Sequence, residues 1–341
     1  MGMPELRKDA VAAGSVIIAP ERQERPSDYG PGAAESSGAR CPFCPGNEDL
    51  TPSEIMAHRP EDIERDKPGW TLRVVPNKYP ALVLEDASDQ EDGNVYGKAS
   101  AVGAHEVIIE SPDHGATLSK LSVSALEAVL AAYRARLLQL ARDPRLRYGL
   151  VFKNHGEAAG ATLEHTHSQI IALSMVPHRV AAEHRRCKSF FDLKKYCFFC
   201  DVMRREAQDT ERLVLSSSGF QVFSPYASRF SFEMWILPKR HSAAFEATTP
   251  AELEDLAQVF SQTLRRLDKA LGNPAYSFVL RTAPFGADAV FGDYYHWRFE
   301  IMPRLARLAG FELGTGLFIN PMAPERAAAI LRDDRPYEHE G

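Results

Sequence analysis

Two long segments of the chain place apolar side chains on one helical face, and strands of β-branched and aromatic residues surround each of them. The helical segments cover 121–140 and 250–271. Each follows an acid-bearing strand that runs through a proline to a histidine, HEVIIESPDH at 105–114 and FEMWILPKRH at 232–241. The strands after the helices lie at 148–154, 163–173, 276–282 and 294–303. The pattern predicts an internal repeat, in which one arrangement of strands and a helix occurs twice.

Consecutive strands without helices between them are typical of antiparallel sheet. The predicted fold class is therefore α+β, two repeats of mainly antiparallel sheet with helices packed on one side. Two equivalent halves could pair their sheets into one continuous sheet. The stretch 177–195 is polar and basic, and we place the linker between the halves there. The chain then divides into an N-terminal repeat, 1–180, and a C-terminal repeat, 181–341.

Composition and charge argue against some classes of function. The chain has 341 residues, 44% of them hydrophobic, which is enough to bury a substantial core. Its formal net charge of -6 argues against a protein that wraps around nucleic acid. No apolar run approaches the roughly 20 residues that cross a bilayer, so no membrane partner is expected. Residues 1–10 lack the apolar core of a signal peptide, so we expect a cytoplasmic protein.

Four of the five cysteines form two C-x-x-C pairs, at 41–44 and 197–200. In a reducing compartment such pairs bind metal more often than they form disulfides. The repeat places two histidines at equivalent positions near each pair. The predicted ligand sets are Cys41, Cys44, His114 and His165 in the first half and Cys197, Cys200, His241 and His296 in the second. Two thiolates and two imidazoles leave no open position, which indicates two structural zinc sites.

Other readings of the cysteines are weaker. A single zinc ribbon that joins the two pairs would need to span more than 150 residues, far beyond the usual spacing. Iron at the second site is an alternative, although two thiolates favour zinc. The fifth cysteine, Cys187, has no predicted partner.

His167 is the predicted nucleophile. Residues two apart on a strand share a face, so His165 would bind the first metal while His167 faces the adjacent space. A neutral imidazole attacks phosphorus and also leaves well. Attack on the α-phosphorus of a nucleotide sugar would give nucleotidyl-His167 and release a sugar phosphate. A second phosphate would then collect the nucleotide.

Such a transfer needs donors around the non-bridging phosphate oxygens. Gln169 lies two residues beyond His167 and on the same face, so it is a second candidate catalytic residue. Arginine pairs suit bidentate phosphate binding, although a solvated surface accounts equally well for the two arginines at 22 and 25. The candidate substrate-binding residues from this argument are Arg22, Arg25, Asn154, Gly160, Ala161 and Thr162.

The second half lacks this chemistry. His296 matches the metal ligand His165, and the residue that matches His167 is Arg298. An arginine stays protonated and cannot attack phosphorus. The duplication is therefore predicted to retain two metal sites and a single catalytic site.

Taken together, these motifs resemble the galactose-1-phosphate uridylyltransferase family, a branch of the histidine-triad superfamily. The resemblance covers nearly the whole chain. It is carried by Arg22 and Arg25, CPFC with Asn47, PNKYPAL with Asn77, SPDH, FKNHG, the run 160–169 and FELGTGLFINP. It implies a duplicated histidine-triad fold, ping-pong transfer through nucleotidyl-His167, and a nucleoside pocket near Asn77. It also implies a homodimer whose C-terminal segment completes the partner's site.

The chain departs from the family pattern at its second metal site and near its C-terminus. The family has histidines and a glutamate at that site and a tyrosine–glutamate pair that holds galactose hydroxyls. Here the site is a Cys2His2 set, and Thr315 and Gly316 lie in the C-terminal region. Both features are similar to the plant ADP-glucose phosphorylase branch, which transfers AMP to phosphate.

The resulting expectation is a UDP-glucose:hexose-1-phosphate uridylyltransferase. Its partners would be a nucleotide sugar and either a sugar 1-phosphate or phosphate. ADP-glucose phosphorylase activity is the close alternative. Hydrolysis of the nucleotidyl-histidine by water and a nucleotide-binding zinc module without catalysis remain as alternatives from other classes.

Overall fold

The computed structural model describes residues 5–9, 14–18, 41–84, 101–286 and 292–337. In chain order the strands are β1 (Glu5–Asp9), β2 (Gly14–Ile18), β3 (Met56–His58), β4 (Leu72–Pro76), β5 (Gly103–Ile109), β6 (Tyr148–His155), β7 (His167–Leu173), β8 (Leu213–Ser216), β9 (Phe220–Phe223), β10 (Met234–Pro238), β11 (Tyr276–Arg281), β12 (Arg298–Pro303) and β13 (Phe318–Asn320). The α-helices are α1 (Val123–Leu140), α2 (His178–Lys194), α3 (Phe198–Asp209), α4 (Pro250–Leu271), α5 (Gly310–Thr315) and α6 (Pro324–Arg332). Among the described residues, no helix combines the length and apolarity that crossing a bilayer requires.

A ten-stranded antiparallel sheet organises the chain, in the order β3-β4-β5-β7-β6-β11-β12-β10-β9-β8. The two halves meet where β6 pairs with β11, with His155 opposite Tyr276 and Val151 opposite Leu280. From this seam outward, both halves place their strands in the same spatial order. The predicted α+β class is confirmed, and the halves do form one continuous sheet. A separate three-stranded sheet pairs β2 antiparallel to β1 and parallel to β13.

The helices α1 and α4 cover one face of the sheet and bury the main core. Helix α4 begins with a capping box, in which the Thr249 side chain accepts the backbone N–H of Glu252 and Glu252 bonds back to Thr249. Pro250 fits the first helical position, and Gly272 ends the helix with a φ of 70°. These local signals explain why the predicted bounds 250–271 agree with the structure.

The stretch 177–195, where the linker between the halves is predicted, is mostly helical and forms α2. Its buried residues are Val180, Glu183, His184 and Cys187, which follow the helical spacing i, i+3, i+4, i+7. Two of the four are polar, so the buried face does not appear as an apolar stripe in the sequence. Helices α2 and α3 pack around Trp235 and Leu237, on the sheet face opposite α4.

The segments 105–114 and 232–241 have equivalent final histidines, His114 and His241. Along their strands, however, the structurally equivalent residues are shifted by one position from the sequence alignment. In the first half Val107 pairs with Gln169, whereas in the second half Trp235 pairs with Glu300. The first half thus has one residue more between its strand and the final histidine. The structural counterpart of His105 is Glu233, not Phe232 as the sequence alignment implies.

Candidate active site and metal clusters

The first C-x-x-C turn meets the two histidines predicted for it. The sulfur of Cys44 lies 3.4 Å from His114 Nδ1 and 3.6 Å from His165 Nδ1, and the Cys41 sulfur lies 3.7 Å from His165 Nδ1. All four donor atoms lie within 4.8 Å of one another. The Nε2–H of His165 donates to the carbonyl oxygen of Ser111 at 2.7 Å, and this bond directs Nδ1 towards the cysteines.

The second cluster repeats this geometry. The Cys200 sulfur lies 3.3 Å from His241 Nδ1 and 3.7 Å from His296 Nδ1. His296 donates Nε2–H to the Pro238 carbonyl oxygen at 2.8 Å, as His165 does to Ser111. The pKa of Cys197 is lowered to about 3, first by a hydrogen bond from Cys200 and then by His241 and His296, which outweigh burial.

Both clusters match the geometry of a tetrahedral metal ion. With metal–sulfur bonds of about 2.3 Å and metal–nitrogen bonds of about 2.1 Å, tetrahedral angles separate the sulfur and nitrogen by about 3.6 Å. The observed sulfur–nitrogen distances range from 3.3 to 3.7 Å. Each cluster can therefore hold a metal ion with four protein ligands, which suits a structural role.

His167 is the first residue of β7 and is 8% exposed. Its Nδ1 lies 2.8 Å from the carbonyl oxygen of His165, which can only accept, so Nδ1 carries the proton. The unprotonated Nε2 then carries the free lone pair of the ring. The ring of Phe43, inside the first C-x-x-C turn, packs edge-on against His167 with centroids 5.2 Å apart. Burial lowers the pKa of His167, and the charge of Lys153 lowers it further, so the imidazole stays neutral.

A buried ion pair contacts the backbone of His167. Lys153 on β6 donates to Glu110 at 2.6 Å, to the Thr166 hydroxyl at 3.0 Å and to the backbone oxygen of His167 at 2.8 Å. Thr166 also donates to Glu110 at 2.5 Å. Burial alone would raise the pKa of Glu110, but the charge and hydrogen bond of Lys153 lower it, so the carboxylate stays ionised. Through the bond from Lys153, the pair therefore fixes the backbone of His167.

This polar network belongs to the first half alone. Tyr133 on α1 extends it: its hydroxyl donates to Glu110 at 3.1 Å and lies 2.7 Å from the hydroxyl of Ser168, which can donate to it. At the structural counterparts of Tyr133, Lys153, Thr166 and Ser168, the second half has Phe260, Leu280, Trp297 and Phe299, all buried in the main core. Since apolar side chains serve the fold equally well at these positions, the buried Lys153–Glu110 pair is associated with the half that carries His167.

The ion pair gives a testable prediction. Lys153→Met should destabilise the protein by about 3–5 kcal/mol, because it leaves the Glu110 carboxylate buried without its partner. The measurement is chemical denaturation followed by fluorescence. Glu110→Gln combined with Lys153→Met should recover a large part of that loss, since neither charge is then buried alone. A single variant as stable as wild type would mean that water reaches Glu110.

The remaining predicted binding residues lie at the ends of the central strands. Asn154, near the end of β6, approaches the loop at 157–162, where Gly160 has a φ of 86° and would place a Cβ 3.9 Å from Asn154 Nδ2. Ala161 is half-buried and Thr162 is exposed in that loop. Asn77, after β4, contacts the β5 residue His105. Arg22 and Arg25 lie outside the described residues, so their placement stays a prediction.

The counterpart of His167 in the second half is enclosed by protein groups. Arg298 donates to Glu183 at 2.8 Å and to Glu300 at 2.6 Å. Its guanidinium lies 4.6 Å from the ring centroid of Phe199 and 4.9 Å from that of Trp235. The side chain is 1% exposed. In the second half the position of His167 is thus occupied by a buried arginine whose charge is neutralised locally.

Two family models match this chain almost end to end. They describe the N-terminal and the C-terminal domain of galactose-1-phosphate uridyl transferase, and they match residues 3–177 and 183–333. The chain belongs to the galactose-1-phosphate uridyl transferase family. The predicted family is confirmed, and the chain is a nucleotidyltransferase of that family.

The similar proteins include two different members of this family. An ADP-glucose phosphorylase of Arabidopsis thaliana is 36% identical over 97% of this chain and 93% of its own length. A galactose-1-phosphate uridylyltransferase of Thermotoga maritima is 27% identical over 97% of this chain and 98% of its own. A crystal structure of the Arabidopsis phosphorylase with bound ADP-glucose has a TM-score of 0.84, at 34% identity, and covers 97% of this chain and 99% of that one.

The sequence pattern did not identify the buried polar residues around His167 and Gln169. Lys153, Glu110 and His105 are polar residues within predicted strands, and their roles depend on contacts between strands that are far apart in sequence. The one available signal was charge in the strand motifs ESPDH and FKNHG. A charged residue inside an otherwise apolar strand is buried only when a partner neutralises it.

Proposed function

We propose that this protein transfers a nucleoside monophosphate from a nucleotide sugar to a phosphate acceptor through a covalent intermediate on His167. The observation that carries the proposal is the geometry of His167, whose Nδ1–H is bound to a carbonyl oxygen and whose Nε2 is left as the nucleophile. Family membership and the single histidine at this repeat position support it.

The reaction proceeds in two steps, and His167 is regenerated in the second. Nε2 of His167 attacks the α-phosphorus, the P–N bond forms, and the bond to the bridging oxygen breaks to release a sugar 1-phosphate. An oxygen of the acceptor phosphate then attacks the same phosphorus, and the P–N bond breaks to restore the imidazole. With inorganic phosphate as acceptor the product is a nucleoside diphosphate; with a hexose 1-phosphate it is a new nucleotide sugar.

The protein groups around His167 have defined roles in these steps. The Lys153–Glu110 pair fixes the backbone of His167, and the amide of Gln169 and the loop at 157–162 supply donors to the phosphate oxygens. We assign zinc to both clusters because two thiolates and two imidazoles are its usual donor set. Zinc there supplies folding energy and holds the CPFC turn, with Phe43, against His167.

ADP-glucose with phosphate as acceptor is the substrate pair we favour. The Arabidopsis phosphorylase is more similar to this chain than the Thermotoga uridylyltransferase, at 36% against 27% identity over matching coverage. The second Cys2His2 cluster supports the same choice. Uridylyl transfer between UDP-glucose and a hexose 1-phosphate is the second candidate, favoured by the description of both family models.

An intact-mass experiment distinguishes these substrates. The protein is exposed briefly to ADP-glucose or UDP-glucose in separate tubes, and we expect an acid-labile AMP adduct from the first. A UMP adduct instead would assign uridylyl transfer. Steady turnover without any phosphate acceptor would indicate a hydrolase, and folded, zinc-loaded protein that forms no adduct would support a binding module.

We also propose that the active form is a homodimer. The segment 305–313 carries four exposed large apolar side chains, Leu305, Leu308, Phe311 and Leu313, with exposures of 42–76%. A second copy of this chain would cover them, as the family resemblance implies. Light scattering should give about twice the 37.9 kDa chain mass. Leu308→Glu combined with Leu313→Glu should give a monomer; a monomeric wild type would refute the proposal.

A further inference from the structure

The imidazole of His105 makes two hydrogen bonds that decide its tautomer. The backbone N–H of Ala81 donates to His105 Nδ1 at 3.1 Å, so this nitrogen carries no proton. The proton of the neutral ring is then on Nε2, which lies 2.7 Å from Gln169 Oε1. His105 therefore donates to the carbonyl oxygen of the Gln169 side chain.

Asn77 keeps the ring of His105 in place. Its Oδ1 accepts the backbone N–H of Tyr79, which fixes the Asn77 amide against the ring. Asn77 Nδ2 lies 3.1 Å from His105 Nε2, and with the proton on Nε2 this is a packing contact and not a hydrogen bond. The backbone N–H of Asn77 also donates to the His105 carbonyl oxygen at 2.8 Å. The backbone of His105 is thus fixed, and its ring is bonded at Nδ1 by Ala81 and packed against the Asn77 amide beside Gln169.

A glutamine amide has an accepting end and a donating end, and either can face a ligand. With Oε1 bound to His105, the end left for a ligand is the NH2 group with its two donors. Within the described part of the chain, no acceptor is hydrogen-bonded to Gln169 Nε2. Gln169 shares the strand face of His167, where the negative non-bridging oxygens of the transferred phosphate would lie.

We propose that His105 is a positioning residue for the transfer reaction, because it orients the Gln169 amide so that its N–H donors face the phosphate. The inference rests on the proposed nucleotidyl transfer through His167. Gln169 touches the substrate, and His105 acts only through Gln169.

The second half supports this assignment. The structural counterparts of His105 and Gln169 are Glu233 and Glu300, which are two acceptors. They do not bond to each other and are bridged by Arg229, whose Nη2 lies 2.9 Å from a carboxylate oxygen of each. The direct bond between a donor on one strand and an oriented amide on the next belongs to the half that carries the nucleophile.

A double-mutant cycle tests the proposal. Formation of the nucleotidyl adduct and steady turnover are measured for wild type, His105→Ala, Gln169→Ala and the double variant, with whichever nucleotide sugar labels the wild type. Each single change should lower kcat by about 10- to 100-fold with little change in KM, since the lost donor acts on the transition state. The double variant should be about as slow as Gln169→Ala, because both changes remove one interaction.

Two further variants keep the test decisive. His105→Gln offers an amide N–H to the same oxygen and should recover part of the rate. His105→Phe keeps a ring without a donor and should be as slow as His105→Ala, and it replaces that variant should alanine fail to fold. Zinc content should stay at the wild-type level in all of them.

The possible failures are distinguishable. Normal kcat in His105→Ala, or losses that multiply in the double variant, would reject the role of His105 while leaving the proposed function standing. A folded wild-type protein that forms no adduct with either nucleotide sugar would reject the proposed function itself.

Discussion

His167→Gly should lower turnover by roughly 10⁴-fold or more, because it removes the atom that forms the P–N bond and nothing nearby replaces it. The variant should still fold and keep the metal of the first cluster. His165 retains its bond to the Ser111 carbonyl oxygen, and its Nδ1 still faces the two cysteines. The measurement combines kcat, intact mass after exposure to the nucleotide sugar, and metal content per chain.

His58→Gly is the matched control for that variant. His58 lies at the end of the edge strand β3 and is remote from the nucleophile in the sheet order. It should keep wild-type adduct formation despite the same loss of side chain. A His167→Gly protein that retains normal turnover would show that another residue carries the nucleotide.

Cys41→Ser should remove the metal from the first cluster and destabilise the fold severely. A serine hydroxyl does not replace a thiolate ligand, and the binding energy of structural zinc is about 10–16 kcal/mol in small zinc-finger peptides, where it is coupled to folding. Activity should fall as well, because the CPFC turn that holds Phe43 against His167 loses its anchor. Wild-type protein should contain two zinc ions per chain and the variant one, measured by elemental analysis together with the melting temperature.

Cys187→Ala is the matched control for Cys41→Ser. It distinguishes the loss of a metal ligand from the loss of a buried cysteine that binds no metal. Cys187 is 2% exposed and lies outside both clusters, and burial raises the pKa of its thiol, so it stays protonated. Its replacement should cost about 1 kcal/mol and leave both metals bound. A Cys41→Ser protein with wild-type stability and two metals would contradict the first cluster, and iron in the elemental analysis would contradict zinc.

Much of the architecture could be predicted from local pattern. The helical period over 250–271 predicted helix α4 to the residue, and the structure adds the capping box and the terminal glycine that explain these bounds. The repeated cysteine pairs and histidines pointed to two clusters, and the structure brings both sets of four together. These predictions succeed because periodicity and capping act within a few residues, and because a duplication shows the same spacing twice.

Other features depended on contacts that no local pattern contains. Helix α2 lies within the predicted linker, and the sequence does not reveal it as a helix because its buried face includes Glu183 and His184. Their burial depends on partners elsewhere, such as Arg298 and the ring of Tyr295. Along β5 and β10, the sequence alignment of the two halves differs by one residue from the correspondence that strand pairing gives. A single additional residue changes which side chains share a face, and only strand pairing reveals it.

The sequence by itself determined the duplication, the two metal-ligand sets and the single histidine that can act as nucleophile, since these depend on residue type and spacing. The tertiary structure decided which atom of His167 is free to react, which charges lie beneath it and how His105 meets Gln169. The first depends on a hydrogen bond from His167 to the backbone of His165 two residues before it, and the other two depend on hydrogen bonds between residues 43 and 64 positions apart in the chain. Such bonds form only once the sheet has set its register, because hydrogen bonding requires atoms within about 3 Å, a distance that residue order alone does not specify.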